Sequence, residues 1–109
     1  MTERMRFTKS SGNVFADLDL PDAEERLAKA TLAIEIERII RQRKLTQREA
    51  ATVLGLDQPK VSQLLRGRLD GYSTERLMRF LTALGRDIDI VVRPAPRSRR
   101  LGRVKVVAA

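Results

Sequence analysis

The sequence predicts a mainly α fold: a bundle of about four helices followed by a C-terminal β-strand. Three observations carry this. Apolar residues recur at helical spacing through most of residues 22–84. Capping residues and glycines punctuate that run at short intervals, as they do where helices start and stop. The period then switches to alternation at Ile88, Ile90 and Val92, with Asp87, Asp89 and Val91 between them, which reads as one strand ended by Pro94.

With 109 residues the chain holds one core. The organisation expected is an N-terminal arm over 1–13, a folded domain over 14–94 and a basic tail over 95–109. Cysteine and histidine are absent, which removes disulfides, thiolate nucleophiles and histidine bases at once. No Asp/Glu cluster suggests a metal site, so neither an enzyme nor a cofactor is expected. No apolar run reaches membrane-spanning length and the basic start lacks a secretory apolar region, so the expected location is the cytoplasm, with no membrane partner. The net charge of +8 favours a polyanionic partner, because each neutralised phosphate releases counterions. That charge falls in two blocks. From Arg41 to Arg68 the basic residues are Arg41, Arg43, Lys44, Arg48, Lys60, Arg66 and Arg68, against Glu49 and Asp57 alone. After Asp89 come Arg93, Arg97, Arg99, Arg100, Arg103 and Lys105, with no acid.

The arm is polar, and Val14, Phe15, Leu18 and Leu20 after it form an apolar tether to the helical body. Pro21 introduces a long helix to about Lys44, capped by Asp22, with Leu27, Leu32, Ile36, Ile39 and Ile40 as its core face and its acidic start and basic end matched to the helix dipole. Thr46 and Glu49 form a T-x-x-E capping box for a helix from about Gln47 to Leu54, facing inward with Ala50, Val53 and Leu54. Ala51 marks a close helix–helix approach. Gly55 ends it by accepting a left-handed backbone. Leu56 fills the turn, Asp57 caps a helix from about Gln58 to Leu65, and Pro59 fits that helix's first turn, where its missing N–H costs nothing. Val61, Leu64 and Leu65 face inward, so Gln58, Lys60, Ser62 and Gln63 face out. Two short helices joined by this turn make a helix-turn-helix. Gly67 ends the second of them, Leu69–Tyr72 form a turn with Tyr72 packed beneath it, and Ser73 caps a last helix carrying Leu77, Phe80, Leu81 and Leu84, stopped by Gly85.

The segment LTQREAATVLGLDQPKVSQLLRGR, Leu45 to Arg68, resembles the DNA-binding unit of the phage-repressor and Cro-like regulators, the XRE family. The wider stretch from Gly12 to Pro94 resembles the helix-turn-helix antitoxins of the HigA type. The resemblance implies a lambda-repressor-like bundle whose second motif helix enters the major groove of double-stranded DNA. Carried onto this chain, Gln58, Pro59, Lys60, Ser62 and Gln63 become the base-reading positions. Gln can pair bidentately with adenine and Lys can donate to guanine, whereas Pro59, lacking a donor, can offer only an apolar contact. Gln47 takes the backbone-contact position, with Arg43, Lys44, Arg48, Arg66 and Arg68 as phosphate clamps. For Arg43 and Lys44 the helix dipole is an equally good explanation.

A lone strand needs a partner for its backbone groups. Either the later 104–107 segment or the same strand of a second copy could supply it. The resemblance implies the second, a homodimer joined through residues 87–93 with Ile88, Ile90 and Val92 at the contact, reading two half-sites about 34 Å apart. The expected function is a repressor at a palindromic operator. Two other roles stay open: an antitoxin that neutralises a partner ribonuclease toxin through the N-terminal segment or long helix, and an RNA-binding or adaptor protein. The basic tail is expected to add nonspecific DNA affinity.

Overall fold

A computed structural model describes Glu3–Arg4 and residues 22–108. The elements are β1 (Glu3–Arg4), α1 (Asp22–Gln42), α2 (Gln47–Leu54), α3 (Gln58–Leu65), α4 (Thr74–Ala83) and β2 (Val91–Val92). Expectations for the arm beyond Glu3–Arg4 and for the apolar tether, and with them part of the antitoxin reading, fall outside the described residues.

α1 forms without a breaker over its whole length. Asp22, Glu24 and Glu25 lie in its first turn and Arg41 in its last, both favourable to the dipole. Asp22 is already helical rather than a cap, and Glu25, which stands at the spacing expected to close a capping box with Asp22, pairs with Lys29 at 3.4 Å instead. The buried stripe is Ala28, Leu32, Ile36, Ile39 and Ile40. Leu27, expected in the core, is instead 68% exposed. The five-residue step from Leu27 to Leu32 turns it about 140° away from the buried face, and Ala28, four residues before Leu32, takes the place.

α1 ends through a left-handed residue, Lys44 at φ 53, with the Lys44 N–H donating to the Arg41 carbonyl at 3.1 Å and the Leu45 N–H to that of Ile40 at 3.0 Å. α3 and α4 close in the same way on Gly67 and Gly85, where the Arg68 and Arg86 N–H groups donate to Gln63 and Leu81 carbonyls, each at 3.0 Å.

The core lies between α1 and α4, which share the largest helix–helix contact, with α2 and α3 completing it. Ile36, Ile39, Val61, Leu64 and Leu77 are its largest enclosed side chains. Tyr72 packs under the turn as expected, edge-on to Phe80 at 5.8 Å between ring centroids.

The C-terminal strand differs from expectation in length and partner. Only Val91–Val92 is strand, and it pairs antiparallel with Glu3–Arg4 of the same chain, Glu3 opposite Val92 and Arg4 opposite Val91. The alternation read from the sequence persists upstream: Ile88 and Ile90 are half-buried while Asp87, Asp89 and Val91 are exposed. Ile88 packs against the core. Residues 104–107 do not pair with the strand. Instead the chain folds back to the start of α1, where the Val104 N–H donates to Glu24 Oε2 at 3.4 Å and Val106 packs against the core.

Candidate nucleic-acid interface

The two short helices are defined by their caps. Thr46, extended at φ −70 and ψ 162, accepts from the Glu49 N–H at 3.0 Å, and Glu49 Oε1 accepts from the Thr46 N–H at 2.9 Å. This reciprocal pair satisfies two otherwise orphan donors. The Thr46 backbone N–H, and secondarily its side chain, holds the Glu49 carboxyl below its usual value of 4.5. At the other end of α2, Gly55 adopts φ 68, and the Leu56 N–H reaches the Ala51 carbonyl at 3.0 Å. The turn is therefore fixed by backbone geometry that a Cβ would strain. Asp57 then accepts from the Lys60 N–H at 3.0 Å and starts α3, with Pro59 in the first turn.

α2 buries Ala50, Ala51 and Leu54, and Val53 packs at the core's edge. Two adjacent buried alanines let α2 lie close to its neighbours. α3 buries Val61 and Leu64, with Leu65 packed beside them. At about 100° per residue, Pro59, Gln63 and Arg66 fall on the side opposite this buried face, flanked by Ser62 and Lys60. Gln58, Pro59, Lys60 and Gln63 are exposed and Ser62 is half-buried. No acidic residue stands in the first turn of α3. The helix thus presents amide, hydroxyl and ammonium groups on a rigid support, a set able to donate to and accept from base edges.

Before α2 and after α3 stand exposed cations, with the neutral amide of Gln47 among them. Lys44, Gln47 and Arg48 are exposed at the α1–α2 junction, and Arg66 and Arg68 at the exit of α3. Arg43 has a structural task as well: its Nη1 donates to the Leu84 carbonyl at 3.1 Å, tying the end of α1 to the end of α4. That carbonyl is one of the orphan acceptors of a helix C-terminus. The sequence reading offered Arg43 a dipole role within its own helix, and the structure places the contact on a different one. The reading also missed Arg76, whose guanidinium lies 5.1 Å from the Tyr72 ring centroid and 5.6 Å from that of Phe80. This stack braces the turn that follows α3, and the four-residue spacing of Tyr72, Arg76 and Phe80 was its signal.

Ile88, Ile90 and Val92 are not equivalent. Ile88 and Ile90 are half-buried on the domain, and Val92 is exposed beside Val91. Among the described residues no group of acidic side chains is arranged to hold a metal, and no helix is long and apolar enough to cross a membrane.

Two capped helices at a glycine turn, the second offering a polar face and followed by exposed Arg66 and Arg68, define a helix-turn-helix domain. A family model described as a helix-turn-helix domain matches residues 14–93. A solved structure described as an XRE family transcriptional regulator is similar at 50% identity, with a TM-score of 0.76, over 82% of this chain and 100% of that one. Comparison with curated proteins gives no match. The chain belongs to the XRE-like helix-turn-helix family.

Proposed function

We propose that this protein is a sequence-specific, DNA-binding transcriptional regulator that represses from a palindromic operator as a dimer. The observation that carries the reading is the outward face of α3. Pro59 and Gln63 are exposed there, opposite enclosed Val61 and Leu64, with Lys60 exposed on one flank, so their aim is set by core packing rather than by a loop, and Gln58 is exposed at the helix's first position. Specificity comes from these side chains and from an apolar contact by Pro59. Lys44, Gln47, Arg48, Arg66 and Arg68 set the register on the phosphates. Arg43 contributes with the donors its contact to Leu84 leaves over.

One recognition helix in one groove makes a modest interface, so two copies are needed for a specific site. β2 supports the means. Among the described residues it is paired on one side only, by β1, which leaves its other edge for the same strand of a second copy. Val91 and Val92 are 53% and 43% exposed there. Ile88, Ile90 and Val92 are the side chains assigned to this contact, with Ile88 and Ile90 also anchoring the strand to its own domain.

The test is selection of bound duplexes from a random pool, followed by binding of Gln58→Ala and Gln63→Ala to the selected operator and to random DNA. Each bidentate base contact is worth about 1–3 kcal/mol of discrimination. Each substitution should therefore cut the operator preference by roughly fivefold or more while nonspecific affinity holds. Undiminished preference in both variants would refute the base-reading assignment.

A further inference from the structure

We propose that the outward face of α1 is a docking surface for α1 of a second copy of this chain, packed antiparallel. The core uses the stripe Ala28, Leu32, Ile36, Ile39 and Ile40. On the opposite side runs a second apolar stripe, Ala23, Leu27, Ala30 and Ile34. Its spacing of four, three and four residues is that of a coiled-coil seam. Leu27 is 68% exposed and Ile34 55%. Among the described residues neither side chain packs into the core, and both are large. Ile34 also borders a shallow groove lined by Glu37, Arg38, Arg41 and Gln42.

The charges beside this stripe choose the occupant and its direction. Arg26 and Glu37 lie on one flank of the seam, Glu24 and Arg38 on the other, from the 100° turn per residue. An antiparallel copy centred near residue 31 sets Leu27 against Ile34 of the second copy. The same register brings Arg26 to Glu37 of that copy, and Glu24, one of whose oxygens already accepts from the Val104 N–H at 3.4 Å, to Arg38, and the two-fold axis doubles each pair. A parallel copy in register would bring together the carboxylates of Asp22, Glu24 and Glu25 at one end and the arginines at the other, with the helix dipoles aligned unfavourably. The intrahelical pairs Glu35–Arg38 at 2.9 Å and Glu37–Arg41 at 2.6 Å hold these side chains on the surface, where they can be shared across the seam.

Two heptads cover less than the roughly 800 Å² per partner of a standard interface, so the association is weak between free copies and strengthens when copies are held close. Adjacent operators on one duplex would hold them so. The contact is independent of strand pairing through β2. With both, each chain has two self-complementary contacts, enough to link neighbouring DNA-bound dimers.

The chain has no cysteine, so introduced thiols report position without interference. The full-length protein is oxidised at physiological salt in four preparations: Ala30→Cys alone, Leu27→Cys alone, Ile34→Cys alone, and Leu27→Cys mixed with Ile34→Cys. Antiparallel docking gives disulfide-linked dimers for Ala30→Cys, near the axis, and for the mixture, and few for Leu27→Cys or Ile34→Cys alone. Adding Arg26→Glu to Ala30→Cys should slow cross-linking about tenfold, by loss of two exposed pairs and gain of two repulsions, and adding Glu37→Arg as well should restore it. Cross-linking of Leu27→Cys and Ile34→Cys each with itself but not with each other would overturn the antiparallel arrangement. No cross-link at any position would overturn the second copy as occupant. A charge reversal without effect would remove the basis for the register. All these readouts are blind to whether β2 pairs between chains.

Discussion

Lys44 occupies a position that the other helix ends give to glycine. Its φ of 53 closes α1, and for an L-residue that conformation costs about 1–2 kcal/mol. Glycine would remove the strain while adding freedom to the unfolded chain. Lys44→Gly should therefore raise stability by about 0.5–1 kcal/mol in urea unfolding. If the ammonium also clamps a phosphate, the same substitution lowers DNA affinity and reduces the slope of log K against log salt by about 0.9. Greater stability with unchanged binding would assign the strain to the turn alone. Glu49 gives a pH-dependent counterpart. Its carboxyl is held below 4.5 by the Thr46 N–H, so the folded state favours its charged form. The stabilisation is complete above the unfolded value and is lost as pH falls through the lower folded one. Wild-type stability should drop in that acid window more steeply than that of Glu49→Gln, which cannot titrate there. Parallel curves for the two proteins would disprove the linkage.

At the scale of elements, the helix-turn-helix was legible in the sequence because its determinants are local. Thr46 with Glu49, Gly55, Asp57 and Ser73 each act within one turn of chain, and α2 and α3 have the expected bounds. The phase of α1 was less so. Leu27 was assigned to the core on hydrophobicity, whereas its spacing from Leu32 already turned it outward and a smaller residue, Ala28, faced in. Size mattered in the other direction at Ala50, which is fully enclosed between helices. Its small side chain sets how closely α2 approaches them. Ala50→Leu adds volume where neighbours cannot yield, and overpacking of this kind costs about 1–3 kcal/mol. A lower urea midpoint with an unchanged m-value would show it. A neutral outcome would mean the helices separate at no cost, and then the spacing between α2 and α3 would not depend on alanine. The outward positions on α3 were legible through the same local logic, since the inward Val61, Leu64 and Leu65 leave only one side of α3 for Gln63 and its neighbours.

For the molecule as a whole, the parts that the sequence did not yield are contacts between residues far apart in the chain. Glu3–Arg4 has no strand character that would have marked it as the partner of Val91–Val92, some ninety residues away. Nor did the tail's valines announce that Val104 and Val106 return to α1 and the core. This return matters for charge. Val104 is bound at Glu24, and Gln42, the last residue of α1, lies eighteen residues further on, about 27 Å at 1.5 Å per residue. The tail is thus anchored toward one end of α1, and the exposed Lys44 and Arg48 at the α1–α2 junction stand at the other. Basic residues so placed can add attraction to any polyanion but stand apart from the outward face of α3. Substituting Arg97, Arg100, Arg103 and Lys105 together by Gln should weaken binding to operator and random duplex by the same factor and make the salt dependence shallower. Arg48→Gln, by contrast, should reduce the slope by about 0.9, the value for one phosphate contact. A tail variant with unchanged slope on both duplexes would show that the second basic block is solvated surface, and the excess of positive charge would then act on DNA through the helix-turn-helix alone.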